Sequence, residues 1–366
     1  MQQERPLAIY IHFPYCKSRC PYCDFFRALK PKDFDEKALV ERYKKDIAYF
    51  YSMLGERLVG SVFFGGGTPS ILSPDSIRQI LDEIARCFMV KAGAEISLEA
   101  NPNTYEKDKF IDFHRAGINR LSLGVQALNE TDLKFLGRTH SLNEAIQAME
   151  TAVNTFEKSS IDLIYARPHQ RWEDWQTEIE RALHFGFKHI SLYQLSIEEG
   201  TFFHKKGIKP LDEENAAALY EQTVAYLRSQ GLERYEVSNF ADSEANQSVH
   251  NLVYWHGDDY IGIGEGAHGR FCHQNKIYSS VDGAISETLT SSERAEELLF
   301  MGLRLKEGIN FERFYQNSGV NFFDFVDNLA IKKLAQLNLL CYDAANIRLT
   351  DEGFLVLDKI VLELLG

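Results

Sequence analysis

Cys16, Cys20 and Cys23 put half of the chain's six cysteines into eight residues, within YIHFPYCKSRCPYCDFF (10–26). The spacing is C-x3-C-x2-C on a loop that follows an apolar run. A structural zinc site takes four ligands, and none follows at zinc-finger spacing. Position 25, two after Cys23, is Phe. Three soft thiolates instead suit three corners of a [4Fe–4S] cluster. The fourth iron then has no protein ligand and is open to a substrate or cofactor. Pro21, Tyr22, Phe25 and Phe26 would limit water around it and help set its potential.

CKSRCPYC resembles the CxxxCxxC signature of the radical S-adenosylmethionine (SAM) superfamily. The resemblance implies that the open iron is chelated by the amino and carboxylate groups of SAM, whose sulfonium an electron from the cluster then cleaves. FFGGGTPS (63–70) ends the second apolar run, and its glycines would expose backbone N–H and C=O groups to a ligand. Beside the cysteines it resembles the superfamily's glycine motif, which holds the methionine moiety of SAM. Gly66, Gly67 and Thr68 are the matching positions.

The resemblance narrows strand by strand to the coproporphyrinogen-oxidase-like branch. Tyr10, Glu99, Gln126, Arg138 and Asp162 match residues that contact one or the other SAM in oxidases that bind two. A carboxylate suits the SAM amine or ribose hydroxyls, and an arginine suits its carboxylate. One departure is YARPHQ (165–170), where many relatives read YGLPGQ, so that His169 stands at a glycine position. The oxygen-independent coproporphyrinogen III oxidases carry CxxxCxxCxC, with a thiol where this chain has Phe25, and a long N-terminal extension that is missing before Tyr10. The closer resemblance is to the HemW family of heme chaperones, through CxxxCxxC followed by Phe, GGGTPS, HNLVYW (250–255) and GIGEGAHG (262–269).

That resemblance implies heme as cargo, passed to acceptor proteins that include membrane-associated respiratory ones. His250 is the expected heme ligand, because imidazole binds heme iron and Tyr254 and Trp255 offer flat apolar surface. His268 is the second candidate. A buried histidine among packed aromatics is the plainer reading of HNLVYW. Two enzymatic alternatives stand beside the chaperone: oxidative decarboxylation of coproporphyrinogen III, and radical SAM modification of RNA or protein. No catalytic residue is assigned.

The elements that must position these groups are legible as short apolar runs alternating with amphipathic stretches. The runs are 7–13, 61–67, 95–101, 120–126, 160–166 and 189–196. Alternation of this kind predicts a parallel sheet with helices outside. Six units make an incomplete (β/α)6 barrel, an α/β fold whose chemistry lies at the carboxyl ends of the strands. The barrel is expected over 1–205 and a linking and covering region over 206–290. A small α+β unit resembling a winged helix is expected over 291–366. This last segment holds twelve acidic and eight basic side chains, which disfavours DNA binding.

The whole chain of 366 residues has a formal net charge of −13, which also counts against a general nucleic-acid binder. No apolar run approaches the roughly 18 residues of a membrane span. MQQERPLAIYIHF does not read as a signal peptide. A cytoplasmic protein is expected, in which clustered cysteines are metal ligands rather than disulfides. Cys87, Cys272 and Cys341 are scattered and read as small buried hydrophobes.

Overall fold

A computed structural model describes residues 5–366. Six strands form the expected core: β1 (Leu7–Phe13), β2 (Leu58–Gly66), β3 (Met89–Ala100), β4 (Arg120–Gln126), β5 (Lys158–Tyr165) and β6 (His189–Gln194). They pair in parallel in that order. Six of the seven β1 residues are buried, as expected of a strand covered on both faces. Helices α1 (Glu36–Leu54), α2 (Pro74–Cys87), α3 (Phe110–Arg115), α4 (Leu142–Thr155) and α5 (Trp172–His184) connect them. In α2 the Ser73 hydroxyl accepts from the Ser76 amide, and Pro74 fills the first turn, where no N–H is needed. Ile77, Ile80 and Ile84 then fall on one face and are buried. Each contributes about 2 kcal/mol by leaving water.

The sheet does not stop at six strands. Downstream of α6 (Glu213–Ser229), β7 (Glu233–Arg234) and β8 (Asn239–Ala241) extend it antiparallel beyond β6. After α7 (Val249–Trp255), β9 (Tyr260–Ile263) pairs in parallel with the free edge of β1, Ala8 opposite Tyr260. The antiparallel strands β10 (His268–His273), β11 (Lys276–Val281) and β12 (Ala284–Leu289) continue from it. The result is a twelve-stranded sheet in the order β12-β11-β10-β9-β1-β2-β3-β4-β5-β6-β8-β7. The segment 206–290 therefore supplies strands to both edges of the barrel sheet, besides covering it.

Residues 291–366 build a second core. Helices α8 (Ser291–Gly302), α9 (Phe311–Ser318), α10 (Asn328–Gln336) and α11 (Leu357–Leu365) enclose Leu299, Phe314, Phe322, Ile331 and Val361. A small sheet of β13 (Ile309–Asn310), β14 (Leu340–Tyr342) and β15 (Asn346–Leu349), ordered β13-β15-β14, completes it. Among the described residues no helix is long and apolar enough to cross a membrane. Of the three scattered cysteines only Cys87 is buried; Cys341 is half-buried and Cys272 exposed, against the expectation for both.

Candidate functional site

The site is built at the carboxyl ends of the strands. The cysteine loop leaves β1 and returns through a two-residue pairing of Tyr15–Cys16 with Ala28–Leu29. Arg27 holds it from inside, donating to the carbonyls of Cys20 (3.3 Å) and Cys23 (2.9 Å). The glycine turn is fastened beneath: Gly67 N–H donates to Phe13 O at 2.7 Å and Thr68 N–H to Tyr15 O at 2.9 Å. Gly66 has φ +105, and a Cβ there would come within 2.6 Å of the His12 ring. No L side chain fits that position.

Cys16, Cys20 and Cys23 line one cavity of about 400 Å³. Gly66, Gly67, Thr68, Glu99, Gln126, Arg138 and Asp162 line it too, so ten of the twelve expected site residues meet here. Phe25 stands on the same wall, 65% exposed. Tyr10 and His250 border a deeper cavity of about 310 Å³, which shares Glu99, Ser122, Asp162 and Tyr193 with the first.

Polar groups are aimed at the thiols. Thr68 Oγ1 donates to Cys16 Sγ at 3.6 Å and Arg138 Nη1 to Cys20 Sγ at 3.4 Å. Burial pushes the Cys16 and Cys23 thiols up, so a positive partner is needed to hold them as thiolates. Glu99 accepts from Gly66 N–H at 3.1 Å. Burial, and then the Asp162 carboxylate, push Glu99 up to about 8. Asp162 is also raised by burial, against hydrogen bonds from Ser191 and Ser122. Two carboxyl groups that resist ionising together suit an ammonium group or vicinal hydroxyls. Gln126, at a break in the β4–β5 register, has φ +74, an uncommon backbone state that turns its side chain toward the cavity.

Three sulfur donors on one wall, hydrogen-bond donors directed at two of them, and a glycine turn beside them fit an iron–sulfur cluster with a small zwitterionic ligand. Cys16, Cys20 and Cys23 would hold the cluster. Gly66, Gly67, Thr68, Glu99 and Arg138 would hold the ligand, and the bound cluster would supply an electron.

The HNLVYW motif lies elsewhere than expected. His250 is 1% exposed and both ring nitrogens are engaged: Nδ1 with Ser61 Oγ at 2.9 Å, Nε2 with Tyr254 Oη at 2.7 Å. Burial lowers it to about 3. Both ring nitrogens are thus hydrogen-bonded within the barrel, and the ring faces the 310 Å³ cavity rather than a surface open to an acceptor protein. His268 is exposed at the start of β10.

Two residues at the site were not foreseen. Asn101 donates to Thr68 Oγ1 at 3.3 Å and accepts from Arg138. Glu106, fully buried, accepts from Ser70 Oγ, from Asn101 N (2.8 Å) and from Asn103 Nδ2 (2.7 Å), and pairs with Lys17 at 3.8 Å. It ties the cysteine, glycine and β3 loops together. Asn101 closes the EAN end of the β3 run, which was the available signal. Glu106 carried none, because its partners come from three separate loops. His169 is exposed with φ +61, and Ala166 has φ +57. Both occupy positions where relatives were expected to carry glycine.

Residues 10–182 match the radical SAM superfamily and residues 289–356 the HemN C-terminal domain. The chain is 37% identical to the radical S-adenosyl methionine domain-containing protein 1, mitochondrial, of Bos taurus, over 98% of this chain and 87% of that protein. It is 40% identical to the heme chaperone HemW of Escherichia coli K12, over 72% of this chain and 70% of that one. The solved structure of the E. coli coproporphyrinogen III oxidase HemN superposes with a TM-score of 0.81, covering 98% of this chain and 90% of that one, at 22% identity. That likeness speaks for the fold.

Proposed function

Because the chain belongs to the HemW-like family of the radical SAM superfamily, we propose that it binds heme and hands it to acceptor proteins, carrying a [4Fe–4S] cluster and SAM. One observation carries the choice over the oxidase. Where the oxidase signature has a fourth thiol, the cavity wall presents the exposed ring of Phe25. The name of the E. coli relative supports heme as the cargo. With His250 internal, His268, exposed at the start of β10, is the remaining one of the two histidine candidates for heme iron. Gly266, two residues before it, packs against the Phe26 ring of the cysteine loop, so cargo held there would adjoin the cluster loop. Membrane-associated respiratory proteins are the acceptors we favour, and the cytoplasm the compartment.

The test is incubation of the anaerobically reconstituted protein with SAM, reductant and coproporphyrinogen III, beside a heme titration. Saturable heme binding without turnover is expected. Protoporphyrinogen formation at enzymatic rates would overturn the chaperone in favour of the oxidase. Modification of RNA is less favoured, given the net charge of −13.

A further inference from the structure

We propose that His250 is a positioning residue of the cofactor pocket, acting through Phe63 on Tyr10, and that this is what the HNLVYW motif supplies. The proposal rests on the reading of the Tyr10–Glu99 wall as a SAM site.

The motif lies at the end of the barrel opposite the cysteines. Arg120, first residue of β4, donates through Nη1 to Asn246 O at 3.0 Å and Gln247 O at 3.4 Å. The Glu95 carboxylate, low on β3, accepts from His250 N–H at 3.4 Å. Ser248 N–H donates to Tyr235 Oη (3.2 Å), which also bonds His189 Nε2 (2.8 Å) at the first residue of β6. Helix α7 and the turn before it thus floor the barrel at the amino-terminal ends of its strands.

From that floor the His250 ring reaches up to Phe63 and stacks on it, centroids 5.0 Å apart and planes 24° apart. Phe63 in turn stacks on Tyr10 at 6.2 Å and 30°. A Cβ on Gly65 would meet Phe63 at 2.8 Å and Tyr10 at 3.0 Å, so the missing side chain is what lets the two rings close over the backbone. The Tyr10 hydroxyl is hydrogen-bonded to His12 Nδ1 at 3.0 Å, and His12 Nε2 to Phe26 O at 3.0 Å. A carbonyl only accepts, so Nε2 carries the proton and Nδ1 accepts from Tyr10. One packed series therefore runs from the floor to the cysteine loop. Tyr10 and Phe63 are half-buried and form one stacked wall of the deeper cavity with His250, so removing one ring takes away the packing surface of the next. Deleting the imidazole opens space beside Phe63 and strands the hydroxyls of Ser61 and Tyr254, and Tyr10 loses the surface that fixes its angle.

The experiment uses the full chain with its cluster reconstituted. SAM affinity is measured by equilibrium binding and by the change SAM makes in the EPR spectrum of the reduced cluster. Iron content, heme affinity and thermal midpoint are measured on the same samples. His250→Ala should weaken SAM binding about tenfold, as loss of an outer-shell support does, with iron content and heme affinity unchanged. His250→Gln, which keeps hydrogen-bonding groups at both ends, should recover part of it. Leu299→Ala, in the separate core of 291–366, should lower the thermal midpoint and leave SAM binding alone. Paired with Tyr10→Phe, His250→Ala should be non-additive. Wild-type SAM affinity and EPR response in a folded His250→Ala protein would overturn the proposal, as would an equal loss in Leu299→Ala. If His250→Ala does not fold, His250→Gln and Phe63→Leu carry the same test. A wild-type protein with no EPR response to SAM would overturn the SAM site itself, and the proposal with it.

Discussion

Arg138 donates one guanidinium nitrogen to Cys20 Sγ at 3.4 Å and another to Gly124 O at 2.7 Å. The arginine matched to a SAM contact therefore also stands against the cysteine loop. A cationic donor to a cluster sulfur favours the reduced, more negative state. Arg138→Gln should make the cluster's midpoint potential more negative, read by potentiometric titration followed by EPR. An unchanged potential would leave Arg138 with SAM binding alone.

Reconstituted protein should hold about four irons, the content of a single cubane cluster. Serine at Cys16, Cys20 or Cys23 should abolish most of the cluster absorbance, because an alkoxide is a poorer iron ligand. Serine at Cys87, Cys272 or Cys341 should leave it. A requirement for any of these last three refutes the ligand set.

Heme titration should separate the two histidines. His268→Ala should weaken heme binding and alter the Soret band. His250→Ala should do neither, since its imidazole is enclosed between Ser61 and Tyr254. The reverse pattern would restore His250 as the ligand.

His169 is held at φ +61 on the surface. A left-handed conformation costs an L residue roughly 1–2 kcal/mol, and glycine nothing. Set against the greater flexibility of unfolded glycine, His169→Gly should stabilise the protein by about 0.5–1 kcal/mol in urea denaturation. A loss of stability would mean that the imidazole makes a compensating contact.

Burial, and then the Arg138 charge, lower His140 to about 3. Burial lowers His250 to about 3 as well. Below about pH 6.5 the unfolded chain takes up protons that these folded imidazoles refuse. Stability should therefore be complete above pH 6.5 and fall as the pH drops toward 3. Each histidine adds up to about 1.4 kcal/mol per pH unit. His140→Gln should flatten the slope of unfolding free energy between pH 6.5 and 5, and an unchanged slope would show that His140 protonates in the folded state.

The barrel was legible because its strands are near-continuous apolar runs. The stretches at 7–13 and 120–126 match β1 and β4 to the residue. The residues lining the cavity were legible because they lie on such runs, at their ends or shortly after them. β9 was not, since YIGI is four residues long and merges into a glycine-rich turn. What makes it a strand is the open edge of β1, some 250 residues away. The destination of His250 was equally hidden. HNLVYW reads the same whether its imidazole faces a ligand or a serine on β2, and Ser61 is 189 positions distant.

The pairing of β1 with both β2 and β9 has a consequence for the order of assembly. β1 carries the cysteine loop at its end, and its β9 edge stays unpaired until Ile263 has been made. At 5–20 residues per second, roughly 10 to 50 s separate the synthesis of β1 from that of its second neighbour. The helix that floors the barrel, Val249–Trp255, also emerges only late in that interval. During translation the three thiols thus belong to a partly open scaffold, and metal delivered on the ribosome would meet the loop before the barrel closes beneath it.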